Sequence, residues 1–189
     1  MGTPTRLCEL AVKYRTDKTP FLSNLVTDPG WTTHGYTPYY HEILDGKDIK
    51  RVLEIGIAGG GSLRMWADYF PQAEIFGVDI NPETLINEGR IKSFYGDQSS
   101  AETLKAVLDE IGGQFDLIIE DGSHQSPHQI VTANTLVPLL APGGIYIMED
   151  VAQPGEVVPN LRYKHAVKDF RLNKLADDRI IVFRQEENA

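Results

Sequence analysis

The stretch "RVLEIGIAGGGSL", Arg51 to Leu63, passes from a β-branched run through a cluster of glycines into the start of a helix. Glycine lets a backbone approach a ligand closely, and the first turn of a helix leaves N–H donors without partners. Gly56, Gly60 and Ser62 are therefore candidate ligand contacts. Such a turn serves dinucleotide enzymes and many others, and it can equally be a tight strand-to-helix connection. Glu54 lies within the strand itself, an awkward place for a carboxylate with no partner.

Outward from this turn the chain alternates. Strand candidates are "RVLEIGI", "AEIFGVDI", "RIKSFYGD", "FDLIIED" and "GGIYIMED", several of them near-continuous apolar runs of the kind covered on both faces. Between them lie helix candidates, "GSLRMWADYF", "NPETLINEG", "SAETLKAVLDEIGG" and "SPHQIVTANTLVPLLAPG", the last two closed by Gly-Gly and Pro-Gly. Alternation of this kind predicts an α/β fold: a doubly wound, mostly parallel, Rossmann-like sheet in three layers. The tail, "HAVKDFRL", "NKLADDR", "IIVFRQ", predicts an antiparallel hairpin at one edge. Residues 1–50, with a Pro-, Gly- and Thr-rich middle, predict a loop between two short helices that contributes to the site, and 51–189 the core of a single domain.

Composition excludes several classes. At 189 residues with ordinary charged and apolar fractions the chain suits one globular domain. Its apolar runs fall far short of the roughly 20 residues that span a bilayer. The N-terminus lacks the apolar core of a signal peptide. The lone Cys8 suits a reduced cytoplasmic thiol. A net charge of −9 disfavours nucleic acid and anionic membranes and favours a cation.

Acids end consecutive strands: Asp79 after "FGVDI", where a ribose-diol acceptor belongs, and Asp97 after "FYGDQSS", with Gln98 beside it. A pyrophosphate would be opposed by so many carboxylates, whereas S-adenosylmethionine carries a sulfonium and an ammonium. The succession E-x-G-x-x-G-G, V-D and G-D resembles the first motifs of class I methyltransferases, with Ala58 where the middle glycine usually stands.

Two more acid groups follow the fourth and fifth strands. "IIEDGSH" supplies Asp121 and His124, and "IYIMED" supplies Glu149 and Asp150. Singly, each would be a solvated strand end or a helix cap. Together, Asp121, Glu149 and Asp150 would hold their charges beside one another only with a cation, and hard oxygen donors suit Mg²⁺ or a similar ion. His124 is then placed to take a proton from a hydroxyl, while Glu120 belongs to the opposite pleat or supports its neighbours. His41, His128 and His165 read as surface residues.

"DGSH" and "ED", together with "TDK" (Thr16 to Lys18), "HGY" (His34 to Tyr36) and the region 52–80, resemble the metal-dependent sugar O-methyltransferases of the macrocin and mycinamicin type. The resemblance runs from about Thr16 to Asp150. It implies methyl transfer from S-adenosylmethionine to a hydroxyl of a deoxysugar on a natural product or glycan. Asp121, Glu149 and Asp150 match the family's Mg²⁺ ligands, and His124, assisted by Asp121, its general base. Asp121 also matches the cofactor contacts, beside Glu54, Asp79, Asp97 and Gln98. His34 and Tyr36 are weaker candidates for the substrate side, and Trp31 and Tyr39–Tyr40 either stack on a sugar or fill a core. The segment 151–167 is shorter than the family's lids, which leaves the acceptor side open, completed by another copy of the chain, or suited to a large acceptor. A nicotinamide-dependent oxidoreductase and a non-catalytic cofactor-binding scaffold are the competing classes.

Overall fold

The structure, a computed structural model, describes residues 3–21, 33–170 and 177–186. Among them seven strands form one sheet in the order β3-β2-β1-β4-β5-β7-β6. The strands are β1 Arg51–Ile55, β2 Glu74–Asp79, β3 Ile91–Tyr95, β4 Phe115–Glu120, β5 Leu140–Met148, β6 His165–Asp169 and β7 Arg179–Arg184. The first five are mutually parallel; β7 runs antiparallel to β5, and β6 pairs antiparallel with β7. The expected terminal hairpin is thus present, with the last strand inserted between β5 and β6. Its connecting residues 171–176 lie outside the described ones, as does Trp31.

Helices cover both faces, which makes the three layers. On one face α1 Arg6–Tyr14, α2 Tyr36–Leu44 and α3 Gly61–Tyr69 bury Leu7, Tyr40, Trp66 and Met65 against Val52, Ile75, Ile119 and Ile147. On the other, α4 Ala101–Ile111, α5 Ser126–Leu136 and the single turn α6 Pro154–Val157 bury Leu104, Ala133 and Val157 against Leu53, Ile118 and Met148. Alternate residues of each central strand feed alternate cores, as the period-2 pleat requires. Tyr40 is fully buried and Tyr39 packs beside it, so this pair fills the core rather than presenting rings to a sugar.

One helix expectation fails and another ends early. "NPETLINEG" contains only the 3₁₀ turn Pro82–Thr84, capped by the Asn81 side chain. Beyond it the chain folds back on β3: the Ile86 amide donates to Ser93 Oγ at 2.7 Å and Glu88 N to Ile91 O at 3.0 Å, bonds that a helix would forfeit. In the last helix candidate α5 stops at Leu136, because Pro138 cannot donate to an α-helical ladder and a 3₁₀ turn over Val137–Leu139 takes its place. "LAPG" then opens β5, with an irregular register against β4 between Phe115 and Leu117.

Candidate functional site

At the carboxyl edge of the parallel strands lies a cavity of about 870 Å³, walled by the glycine turn, the ends of β2, β3 and β4, and Tyr14–Asp17 of the N-terminal segment. Gly56 has φ +95°, and a Cβ there would overlap the Asp121 carbonyl, so only glycine lets β1 and β4 end side by side. Four non-glycine residues among those described adopt left-handed φ: Arg15, Ala58, His124 and Asp150. All four line this cavity. Left-handed backbone disfavours side chains other than Gly, Asn and Asp, and its concentration here marks a site held in place by its surroundings.

Asp79 closes the turn from across the sheet. Its Oδ2 accepts from Ile57 N at 2.7 Å and its Oδ1 from Asn81 N at 2.8 Å. A loop amide that could have faced a pyrophosphate is spent on a carboxylate. An anionic phosphate is repelled from that position, whereas a diol is accepted. An acid at the end of β2 holds a ribose in dinucleotide folds as well, so this contact identifies a nucleoside and not the reaction.

A second network fixes the turn after β4. Gln98 Nε2 donates to Glu120 Oε1 at 2.8 Å, and Gln98 Oε1 accepts from Ser123 N at 2.6 Å. Gly122 has no room for a Cβ beside that carboxamide oxygen. Burial raises the Glu120 pKa to about 8, against the opposing Gln98 hydrogen bond. Asp97 caps the next turn through Ser99 N at 2.8 Å, and hydrogen bonds from Ser99 hold its pKa below the usual range.

The strand register explains the acid cluster. Ile55 pairs with Glu120, and Glu120 with Met148, so Asp121 and Glu149 emerge side by side one residue later. The pleat puts them on the same face as Glu54 and sends Glu120 to the other. All three converge on Lys18, which is 1% exposed. Its Nζ donates to Asp121 Oδ2 and, at 2.8 Å, to Glu149 Oε2, and it lies 3.5 Å from Glu54 Oε1. Trp66 Nε1 holds the other Glu54 oxygen at 2.9 Å. Burial raises the Glu54 pKa to about 7 despite Lys18, and it pushes Glu149 up as well; Lys18 itself rises because these carboxylates outweigh its own desolvation.

Asp150, next along the chain, faces a different set. Tyr36 OH donates to its Oδ1 at 2.5 Å, and His34 Nδ1 lies 3.4 Å from that oxygen and 2.7 Å from Asp178 Oδ1. Asp150 and Asp178 hold the His34 pKa above its ordinary value although burial opposes them. His124 stands at the cavity wall, 3.9 Å from both Asp121 Oδ1 and Asp150 Oδ2. One ligand atom from each of Asp121, His124 and Asp150 falls within 4.8 Å of the others, a span that a single cation could bridge.

Asp79, Asp97, Gln98, Gly56, Ser62, Asp121, His124 and Asp150 therefore all line the cavity, as the sequence suggests. Glu54 and Gly60 do not, and Glu149 is turned beneath the cavity floor onto Lys18, its Oε1 buried without a hydrogen-bond partner. His34 and Tyr36 are buried behind Asp150 rather than open to a substrate. His128, expected at the surface, lines the cavity with Nδ1 2.8 Å from Ser123 Oγ. Lys18 ends the "TDK" motif without a role that the sequence assigns, and Asp178 carries no pattern of its own.

Residues 53–151 match a family described as a methyltransferase domain. The mycinamicin VI 2''-O-methyltransferase of Micromonospora griseorubida is 38% identical over 154 residues, 77% of this chain and 36% of that enzyme. The 8-demethyl-8-(2-methoxy-alpha-L-rhamnosyl)-tetracenomycin-C 3'-O-methyltransferase of Streptomyces olivaceus is 43% identical over 127 residues, 62% of this chain and 32% of the enzyme. The MycE methyltransferase of the mycinamycin pathway, solved with Mg, SAH and mycinamycin VI, superposes with a TM-score of 0.66 at 36% identity, covering 80% of this chain and 39% of that one. The chain thus spans less than two-fifths of the length of these relatives.

Proposed function

The chain belongs to the methyltransferase-domain family, and from that premise we propose that it transfers the methyl group of S-adenosylmethionine to a hydroxyl of a sugar-bearing small molecule, with Mg²⁺ or a similar divalent cation. The observation that carries this reading is the placement of Asp121, His124 and Asp150 on the wall of the cavity that the glycine turn and Asp79 build. Family members of known chemistry, similar over most of this chain, methylate sugar hydroxyls of natural products.

The donor set suits a hard cation. Asp121 and Asp150 present carboxylate oxygens to the cavity within reach of one ion, with Glu149 buried beneath them. When bound there, Mg²⁺ would lower the pKa of an acceptor hydroxyl and orient it. His124, 3.9 Å from Asp121 Oδ1 and from Asp150 Oδ2, removes the hydroxyl proton onto its imidazole. The acceptor oxygen then forms its bond to the methyl carbon as the carbon–sulfur bond breaks, leaving S-adenosylhomocysteine. Asp79 holds the ribose diol, and Ile57 and Ala58 keep that carboxylate aimed through their amides.

A net charge of −9 supports a small-molecule acceptor over nucleic acid, and the buried lone Cys8 supports the cytoplasm as its location. Helices α1 and α2 share one core with α3 and the sheet, which supports reading 1–189 as one domain.

Isothermal calorimetry with S-adenosylmethionine, in Mg²⁺ and in chelator, followed by a methylation assay on rhamnosylated polyketides, tests the reading. Cofactor binding with metal-dependent turnover is expected. Absence of binding in both buffers overturns it.

A further inference from the structure

Lys18 fits none of the roles assigned so far, yet it is the most deeply placed cation described. It does not line the cavity. Its backbone is fixed from both sides: His34 N donates to Asp17 O at 2.7 Å, and Tyr36 N and Thr37 N donate to Lys18 O at 3.1 and 3.0 Å. The side chain then crosses beneath the cavity floor to reach two carboxylates that leave neighbouring strands. It takes one oxygen of each, Oδ2 of Asp121 and Oε2 of Glu149. The opposite oxygens point elsewhere. Asp121 Oδ1 joins the His124 and Asp150 cluster, whereas Glu149 stays buried with Tyr40 beside it.

We propose that Lys18 is a positioning residue of the metal centre: its ammonium ties Asp121 Oδ2 to the buried Glu149 so that Asp121 Oδ1 is presented to the cation beside His124 and Asp150. This rests on the metal-dependent reading above. A carboxylate attached through single bonds can rotate, and two of them side by side repel. Tying one oxygen of each to a common, fully buried donor removes both freedoms before the cation arrives. Partners that orient metal ligands in this way carry much of a site's affinity.

The test compares wild type, Lys18→Met and Lys18→Ala. Mn²⁺ affinity is read by electron paramagnetic resonance, and S-adenosylhomocysteine affinity by calorimetry in chelator. Lys18→Met is expected to raise the Mn²⁺ dissociation constant roughly 10- to 100-fold while S-adenosylhomocysteine still binds, since Lys18 does not line the cavity. In Lys18→Ala, ethylammonium is expected to restore part of the Mn²⁺ affinity, and tetramethylammonium, which has no N–H to donate, is not. Folded Lys18→Met that binds Mn²⁺ as tightly as wild type, or more tightly, overturns the proposal and makes Lys18 a counterion or a competitor. Wild type that binds S-adenosylhomocysteine but no Mn²⁺ overturns the metal reading itself, and this inference with it. Should neither variant fold, the Lys18 ammonium of wild type is followed by NMR during Mg²⁺ titration. An ammonium that keeps its hydrogen bonds to Asp121 and Glu149 in the metal-bound protein supports the clamp, and one displaced from them by the ion refutes it.

Discussion

Glu120→Gln should shift the stability of the protein by an amount that becomes more favourable as pH rises from 5 to 8. Glu120 is fully buried, burial raises its pKa to about 8, and the Gln98 hydrogen bond only partly offsets that. In the unfolded chain the same carboxyl titrates near the ordinary glutamate value, about 4.3. A raised carboxyl pKa means that the folded state binds the proton more tightly. Stability is therefore highest below the unfolded value, falls as pH rises between the two, and levels off above about 8. Linkage puts the penalty at pH 7 at about 3–4 kcal/mol, and at pH 5 at about 1 kcal/mol. Glutamine removes it and keeps the oxygen that accepts from Gln98. Its amide must replace Oε2, which has no hydrogen-bond partner, so part of the gain is lost to an unsatisfied donor at about 1–3 kcal/mol. The difference between pH 5 and pH 7 survives that correction, because the unsatisfied donor does not titrate. Urea denaturation of both proteins at pH 5, 6, 7 and 8 measures it. A constant stability difference across that range would refute the raised pKa and show Glu120 ionised inside the core.

Three further outcomes bear on the site. His124→Ala is expected to retain S-adenosylmethionine affinity in calorimetry and to lose turnover by roughly 10²-fold or more; unchanged turnover removes His124 from the proton transfer. Asp121→Asn is expected to abolish Mg²⁺-stimulated methylation, and a full rate persisting in chelator would make the strand-end carboxylates structural. Gly56→Ala forces an L side chain into φ +95° and into the Asp121 carbonyl, so thermal unfolding should fall by several degrees and cofactor binding should vanish, as differential scanning fluorimetry with and without cofactor would report.

Much of this architecture is legible from residue order because local signals and global topology agree. Glycines and acids at strand ends can be placed once the strands are known to be parallel, and Asp79, Asp97, Asp121 and Asp150 do reach one cavity. The failures are local competitions. Residues 81–89 have a helix-like start, but Asn81 caps only a single turn and Ser93 captures the Ile86 amide from across the bend. "LAPG" carries helix-stopping residues that in fact open β5, since Leu140 finds its partner in Phe115. Such decisions belong to the neighbouring strand, which sequence periodicity does not contain.

The division of labour between Glu149 and Asp150 shows the deeper limit. Adjacent in sequence, they look interchangeable as ligands. The pleat sends Glu149 down onto Lys18 and Glu54, while the left-handed backbone at Asp150, φ +52°, turns it outward to Tyr36, His34 and His124. What separates the two acids is a pair of cations delivered by the N-terminal segment, Lys18 to one and His34 to the other. Their spacing from the sheet is fixed only by how α1 and α2 pack. Asp178 shares His34 with Asp150, and burial raises the pKa of Glu54 and Glu149, so the two cations sort the acids by position and not by a count of charges. A segment before the first strand thus decides which acid at the ends of β4 and β5 faces the cavity and which lies beneath it.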